Sequence, residues 1–340
     1  MNIELSDSDM LEIIRRQLRV DRSRQLIIAS LQEAIESVTD EDSSVLKGEC
    51  EGFPVEYYSE RFFIAQEFSE NQSAFRKAVE DALKKLGFAS IRADDKYWAD
   101  HILCKILALI AGTPLGVYEL TATQNRNVCL ELGIALGLRK PYILVKDHNA
   151  EVPSILGGIE YYEINSYLET AYELGDRVEQ YIASISTYSP IQKPITRRED
   201  AVVIAHGNRE AIDNTIAIAQ RLAQRGYQCL IVGSFDNKMS WFLDKANIRY
   251  SFLETLEEII NGVMGARFGV YRVGKQVDPN TFVSLGIAIA GNRPRLLVNN
   301  ARDTLPSDLQ GFGTLTFQGY IDLGNKLEVY LDPWLDKHGL

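Results

Sequence analysis

The sequence of 340 residues predicts an α/β protein built from two tandem parallel-sheet domains. From residue 61 onwards, short apolar runs alternate with amphipathic helical segments, which is typical of βαβ units with right-handed crossovers. The alternation stops at residues 187–200, which contain prolines and show no apolar period, and then begins again. Part of the first domain is also repeated in the second, which indicates a duplicated fold.

The internal repeat is direct and has no gaps. Residues 112–145 align with residues 265–298 at a constant offset of 153, and 12 of the 34 positions are identical. The shared letters are GxxxGVY, an asparagine, LGIA, a proline and LV. One polar position differs, because Ser284 stands where the first copy has Glu131. We interpret the chain as two copies of one fold, the second degenerate at its polar positions.

The first domain is assigned to residues 60–186. Its apolar strands are RFFIAQ, FASIRA, LGVYEL, PYILV and EYYEI, and helical segments of ten or more residues follow the first three. Five such strands fit a flavodoxin-like sheet with the order 2-1-3-4-5. Residues 187–200 are interpreted as a linker, and residues 201–340 as a second domain of the same kind.

Residues 1–59 predict a helical N-terminal extension. The segment SDSDMLEIIRRQLRV opens with a helix-capping signal and continues with apolar residues at helical spacing. The segment RQLIIASLQEAIESV predicts a second amphipathic helix. We expect these helices to hold a homo-oligomer together or to bind a partner protein.

Composition narrows the classes of partner. The net charge of −11 argues against broad binding to nucleic acid or to anionic membranes. The four histidines lack metal-ligand spacing, so no metal is expected. No signal peptide or apolar run of eighteen residues appears, and no CxxC pair occurs, which predicts a cytoplasmic protein. We expect reduced, mostly buried thiols at all four cysteines: Cys50, Cys104, Cys129 and Cys229.

Polar residues follow the first three strands of the first domain. Ligands of open parallel sheets bind beyond the carboxyl ends of the strands, so we expect these residues to line a substrate site. Several have an ordinary structural alternative: the aspartates as turn residues, the phenylalanine as a packed anchor and Asn127 as a helix cap. The predicted substrate-binding residues are Gln66, Phe68, Ser69, Arg92, Asp94, Asp95, Thr121 and Asn127.

Glu131 is the candidate catalytic residue. If Asn127 caps its helix, Glu131 lies about one turn inside, where the helix dipole favours the ionised carboxylate by roughly 0.3–1 kcal/mol. An ionised carboxylate beside a cleft suits cleavage of a glycosidic bond at ribose, because it can stabilise or attack the developing oxocarbenium ion. Glu119, at the end of the third strand, is expected to orient Glu131 or to hold ribose hydroxyls. The alternative is a surface glutamate that only matches the helix dipole.

The first domain resembles the family of bacterial TIR-like and nucleoside 2-deoxyribosyltransferase-like domains. FFIAQEFSEN, LGFASIRADD and the run from GVYELTATQ to KPYILV match motifs that recur in this order in that family, over roughly residues 61–185. The resemblance implies that Glu131 is catalytic and that Glu119 lines the sugar site. Asn125 stands where the deoxyribosyltransferases have an acid and completes the predicted catalytic set.

The resemblance also implies an activity. We expect an N-glycosidase or hydrolase that cleaves the base–ribose bond of NAD or a related nucleotide, as a regulated effector in bacterial anti-phage defence. No cofactor is expected, because NAD or the nucleotide is the substrate. The alternative is a non-catalytic nucleotide-binding or self-association module that recruits a partner protein, and a weaker option is sugar transfer between bases.

The second domain is predicted to lack this chemistry. Arg272 replaces Glu119 and Ser284 replaces Glu131, so the carboxylates are gone. Cationic side chains beside a helix that we expect Asn280 to cap suit an anion. The alternative is a scaffold half that pairs with the first or with another subunit. The candidate anion site comprises His206, Asn208, Arg272, Lys275 and Ser284.

Overall fold

The protein folds into two parallel sheets with helices packed on them. The computed structural model describes residues 25, 29, 32–33, 35–39, 46–67, 73–85, 87–95, 102–122, 126–164, 180, 195–207, 212–233, 236–274 and 277–340. The predicted α/β class is therefore confirmed. Within these residues, no helix combines the length and the apolar character that crossing a membrane requires.

The first half, residues 46–164, is built on a five-stranded sheet. Its strands are Arg61–Ala65 (β1), Ala89–Ile91 (β2), Gly116–Leu120 (β3), Tyr142–Asp147 (β4) and Tyr162–Ile164 (β5). Its helices are Ser73–Lys85 (α1), Ile102–Gly112 (α2) and Arg126–Gly137 (α3). The strand order is β2-β1-β3-β4-β5 and every pair is parallel, which confirms the predicted order 2-1-3-4-5. The central strand β3 is buried along its whole length, as strands with both faces covered are.

The second half, residues 195–340, is built on a six-stranded parallel sheet. Its strands are Arg198–Ala205 (β6), Gln228–Val232 (β7), Tyr250–Leu253 (β8), Ala266–Arg272 (β9), Arg295–Asn300 (β10) and Thr314–Phe317 (β11). Its helices are Ile212–Ala223 (α4), Asn237–Lys245 (α5), Leu256–Gly265 (α6), Pro279–Ala290 (α7) and Tyr320–Lys337 (α8). The strand order is β11-β10-β9-β6-β7-β8.

The second sheet is the first sheet with one edge strand added. The prediction that the second sheet is flavodoxin-like is wrong in this respect, because β8 extends the sheet beyond β7. Read outward from β8, the order is the 3-2-1-4-5-6 of dinucleotide-binding α/β folds. Strand β8 was not predicted because it has only four residues and lies at the edge of the sheet, where only Leu253 is fully buried.

The two halves contact each other through the repeated helices α3 and α7. A Cβ on Gly133 would meet the carbonyl oxygen of Val283, and a Cβ on Gly286 would meet that of Leu130. Both pairs are related by the offset of 153, so each contact occurs twice with the partners exchanged. This is the pattern of an isologous two-fold interface within one chain. The repeated glycines are required because the helix backbones approach too closely for a side chain.

The N-terminal extension is described only in part. Residues 25, 29, 32–33 and 35–38 are helical, which agrees with the predicted second helix. Residues 46–59 have no α-helix and pack Phe53 and Val55 into the hydrophobic core of the first half. The first predicted helix lies outside the described residues, and the predicted role in association stays a prediction.

A disulfide joins this N-terminal segment to the first sheet domain. Cys50 lies in a short 3₁₀ turn, and its sulfur is bonded to that of Cys104 in α2. The prediction of reduced thiols is therefore wrong for these two residues, whereas Cys129 and Cys229 are free and buried. The sequence does not predict that Cys50 and Cys104 are paired, because they are 54 residues apart and only the tertiary fold brings them together.

Candidate functional site

The strand ends of the first half bring carboxylates together. Glu119, at the end of β3, is 1% exposed, and its Oε2 atom has no hydrogen-bond partner. Burial, followed by the nearby Asp147 and Glu67, raises the pKa of Glu119 to about 8. Thr121 donates a hydrogen bond of 3.0 Å to Glu67. Glu119 is therefore a protonated acid at neutral pH, able to donate as well as accept a hydrogen bond.

Glu131 is buried and does not lie at an open helix start. It is the sixth residue of α3 and is 7% exposed. Burial, with a further contribution from Asp308, raises its pKa well above the usual value, and Arg92 opposes that shift. This environment favours the neutral acid, contrary to the ionised carboxylate that we expected, because burial disfavours the charged form. A catalytic role for Glu131 stays a prediction.

The loop after β2 is held by its own aspartates. Arg92 is buried and pairs with Asp94 through a contact of 2.9 Å. Asp95 accepts a hydrogen bond of 2.9 Å from the Arg92 backbone N–H and pairs with Arg76 at 3.2 Å. The two aspartates are thus turn residues, which is the structural alternative that the sequence left open. Their predicted role in substrate binding stays a prediction.

Asparagines at the starts of α3 and α7 reach across to the opposite half. Asn127 donates hydrogen bonds to Ser307 at 2.9 Å and to Asp308 at 3.2 Å. Asn280 donates to the Ser154 hydroxyl oxygen at 2.8 Å. The two asparagines and the two serines are each 153 residues apart, so these contacts obey the same two-fold relation as the glycines. Each half therefore donates an asparagine hydrogen bond to a serine of the other half.

The capping predictions for these asparagines are wrong. Asp278 is the N-cap of α7 and accepts a hydrogen bond of 2.8 Å from the Asn280 backbone N–H, with Pro279 at the first helical position. Asn127 is the second residue of α3. Both side chains are instead used between the halves, a role that a sequence pattern of capping residues does not reveal.

A cavity of about 300 Å³ lies in the second half at the carboxyl ends of β6 and β7. We call it the switch pocket, because the strand order reverses where β6 and β9 lie side by side. Ile212, Ile231, Met239 and Phe252 supply apolar surface. The polar groups that line it are Ser154, His206, Thr215, Asp236, Asp278, Asn280 and Thr281.

His206 is the buried polar group of the switch pocket. It is 2% exposed, and neither ring nitrogen has a hydrogen-bond partner. Burial, with a smaller contribution from Arg272, holds the pKa of His206 well below its usual value. The neutral ring therefore has one donor and one acceptor that no protein group satisfies.

The first half has a related feature at the equivalent place. Ala205 pairs with Tyr271 as Ala65 pairs with Tyr118, so His206 corresponds to Gln66. Gln66 is also buried, and its Oε1 atom also lacks a partner. Both halves thus present a buried, unsatisfied polar side chain directly after their first strand.

The structure describes three residues of the predicted anion site, His206, Arg272 and Ser284, and the site stays a prediction. His206 lines the switch pocket, whereas Ser284 is fully buried in α7 and donates its hydroxyl to the Thr281 carbonyl at 2.9 Å. Arg272 ends β9 and acts on His206 electrostatically. Within the described ranges, no group of histidine, cysteine or acidic residues is arranged to hold a metal ion. The predicted residues outside those ranges are Phe68, Ser69, Asn125, Asn208 and Lys275.

Sequence reasoning missed the serines that link the halves. Pro-Ser-x-Leu occurs at residues 153–156 and again at 306–309, with the same offset of 153 as the repeat. In the structure each motif forms a 3₁₀ turn, Ser154–Leu156 and Ser307–Leu309. The signal was therefore present in the sequence, beyond the aligned segment. Asp236 was missed because helix α5 was not predicted, so the loop between β7 and α5 that contains this residue was not recognised.

Comparison with known proteins gives distant structural neighbours. No family model matches the chain, and no curated protein matches it. A glycosyl transferase of family 9 from Veillonella parvula DSM 2008 has 8% identity and a TM-score of 0.31, covering 81% of this chain and 90% of that one. The calicheamicin glycosyltransferase CalG4 has 10% identity, coverage of 81% and 89%, and a TM-score of 0.31. The glycosyltransferase SnogD from Streptomyces nogalater has 10% identity, coverage of 80% and 94%, and a TM-score of 0.26.

These neighbours correct the family assignment. They are glycosyltransferases, so the resemblance to TIR-like and deoxyribosyltransferase-like domains is wrong. The predicted NAD-cleaving N-glycosidase of anti-phage defence is wrong on the same finding, as are its hydrolase and NADase descriptions. The expectation that the chain is an enzyme stays a prediction. At these identities and TM-scores the likeness carries no argument about a substrate.

Proposed function

We propose that the protein binds a small nucleotide in the switch pocket. The observation that carries the proposal is the place of the cavity: about 300 Å³ of space lies at the carboxyl ends of β6 and β7, with the unsatisfied ring of His206 on its wall. In open parallel sheets, ligands bind beyond the carboxyl ends of the strands where the strand order reverses. A buried polar side chain without a partner is destabilising unless a ligand or water satisfies it.

The lining of the switch pocket suits a nucleoside. Ile231, Met239 and Phe252 offer apolar surface to the faces of a base, and His206 offers a donor and an acceptor to its edge. Asp236 follows β7, the strand next to β6. In sheets of this order, an acid in that region hydrogen-bonds the ribose hydroxyls.

The size of the cavity and the loop after β6 point to one nucleotide. The loop reads AHGNREAI and lacks the G-x-G-x-x-G pattern that holds a dinucleotide pyrophosphate. Gly207 has a φ of +91°, and a Cβ there would lie 3.2 Å from the Asp278 backbone nitrogen, so the turn requires glycine. A volume of about 300 Å³ lies at the lower end of ligand pockets, which span roughly 300–1,000 Å³.

Titration of the full chain with AMP, GMP, CMP and UMP by isothermal calorimetry tests the proposal. We expect at least one of them to bind, and we expect His206→Phe, which keeps a ring but removes both nitrogens, to weaken that binding about tenfold. Gln66→Leu, at the equivalent place in the first half, is the matched control and should bind as the wild type does. The proposal fails if none of the four binds, or if the two variants bind equally well.

A further inference from the structure

The switch pocket contains a residue from the other half of the molecule. Ser154 lies in the 3₁₀ turn after β4, whereas the remaining lining residues that the structure describes belong to the second half. Its hydroxyl oxygen accepts the 2.8 Å bond from Asn280, and the Ile155 backbone N–H donates a bond of 3.2 Å to the Asn280 Oδ1 atom. Both ends of the Asn280 amide are therefore bonded to the first half.

The Ser154 hydroxyl retains capacity for a ligand. A serine hydroxyl has one donor and two acceptor positions, and the bond from Asn280 occupies one acceptor position. The Ser154 side chain is exposed at the pocket wall, while Asn280 is 7% exposed. A ligand in the cavity can therefore accept a hydrogen bond from Ser154 without breaking the bond to Asn280.

The turn that carries Ser154 is fixed to the core. Ile155 and Leu156 are 2% and 1% exposed, and both belong to the hydrophobic cluster that also contains the interface residues of α3 and α7. Moving Ser154 away from the pocket would require withdrawing these two side chains from that core. Exposing two buried aliphatic side chains costs about 3–6 kcal/mol, so the turn holds Ser154 in place.

The opposite corner of the molecule supplies an internal control. Ser307 is the equivalent serine, and its hydroxyl oxygen accepts the bond of 2.9 Å from Asn127. The next residue there is Asp308 and not an isoleucine, and its carboxylate accepts a bond of 3.2 Å from the same amide. Ser307 does not line the switch pocket. Removal of its hydroxyl thus disturbs a similar bond between the halves without touching the cavity.

We propose that the switch pocket is shared by the two halves, and that a bound nucleotide contacts both Ser154 and Asn280 and so clamps the halves together. This inference rests on the proposed function, because it concerns the same site. It makes Ser154 a determinant of nucleotide affinity, although it lies outside the sheet that forms the pocket. It also couples occupancy of the pocket to the stability of the interface between α3 and α7.

The first measurement is the affinity of full-length variants for AMP, GMP, CMP and UMP by calorimetry. We expect Ser154→Ala to weaken nucleotide binding about tenfold, because it removes one hydrogen bond to the ligand, and Ser307→Ala to leave it unchanged. Equal affinities of Ser154→Ala and the wild type overturn the clamp while leaving the proposed function intact. If neither the wild type nor any variant binds, the proposed function itself has failed.

The second measurement is hydrogen exchange at residues 154–156, with and without the same four nucleotides. A clamp predicts that nucleotide slows exchange of the Ile155 amide, which is bonded to Asn280, in the wild type and in Ser307→Ala but not in Ser154→Ala. Protection confined to the segment around His206 contradicts the clamp, since it shows a ligand held by the second half alone. This readout separates a contact with the ligand from a loss of structure at Ser154.

Discussion

At the scale of single residues, burial decides the charge of the acidic side chains. Glu119 and Glu131 come from adjacent elements of the repeated segment, and both have pKa values raised by burial. The sequence suggested an ionised Glu131, because a helix start favours a carboxylate. The effect of the dipole is smaller than the desolvation of a buried carboxyl group.

The raised pKa of Glu119 predicts a loss of stability with rising pH. The folded state keeps the proton up to about pH 8, whereas the unfolded chain releases it near the ordinary value of 4.5. The folded state therefore binds more protons in this window, and the free energy of unfolding falls as the pH rises through it, by about 2–3 kcal/mol from about pH 6 to 9.

Urea unfolding at these two pH values measures this fall. Glu119→Gln mimics the protonated acid and should lose less stability than the wild type over the same interval. The exposed Glu60→Gln is the control and should behave as the wild type. An identical pH dependence in Glu119→Gln and the wild type contradicts the assignment.

At the scale of elements, the helix pair α3 and α7 explains why the repeat is most visible where it is. Of its letters LGIA, the glycine and the isoleucine lie where the two helices contact each other, and Gly133 and Gly286 permit the close approach. The two glycine contacts share one close approach of the helices, so a substitution that separates the helices at one glycine also loosens the other contact.

The close approach predicts that Gly286→Ala is destabilising. The added methyl group meets the Leu130 carbonyl oxygen, so the helices must separate. Overpacking of this kind lowers the free energy of unfolding by about 1–3 kcal/mol, which exceeds the helix-propensity gain of alanine. Gly313→Ala is the control, because no atom lies within 4 Å of its added carbon.

Chemical denaturation of the two single variants measures this loss of stability. If Gly286→Ala is as stable as Gly313→Ala, the backbones of α3 and α7 do not approach closely at Gly286. The double variant Gly133→Ala with Gly286→Ala should lose less stability than the sum of the single changes, because one separation of the helices relieves both contacts.

At the scale of the whole molecule, a disulfide joins the N-terminal segment that contains Cys50 to helix α2. The bond from Cys50 to Cys104 closes a loop between residues 54 positions apart. Closing a loop of this length stabilises a fold by about 4 kcal/mol in the chain-entropy model. A cross-link of this kind is uncommon in reducing compartments, and the predicted cytoplasmic location stays a prediction.

The cross-link predicts that reduction lowers thermal stability. We expect Cys50→Ser with Cys104→Ser, or treatment with dithiothreitol, to lower the free energy of unfolding by about 2–4 kcal/mol, whereas Cys129→Ser, which keeps the cross-link, should lose as much stability on reduction as the wild type does. Mass spectrometry of the alkylated protein counts the free thiols. Four free thiols under oxidising conditions, with no change in stability on reduction, contradict this cross-link.

The sequence alone determined the α/β class, the order of the first sheet and the duplication. These follow from patterns that lie close together along the chain, such as the alternation of strands with helices and the twelve identities at one offset. It also selected Gln66 and His206, which occupy equivalent buried places after β1 and β6.

Only the tertiary structure decided the rest. The switch pocket depends on the meeting of Ser154 and Asn280, 126 residues apart, and the cross-link on cysteines that no spacing pairs. The edge strand β8 is only four residues long, and the raised pKa of Glu131 follows from its burial in the packed chain. Contacts between distant segments and the burial they produce are properties of the packed chain, so no local pattern contained them.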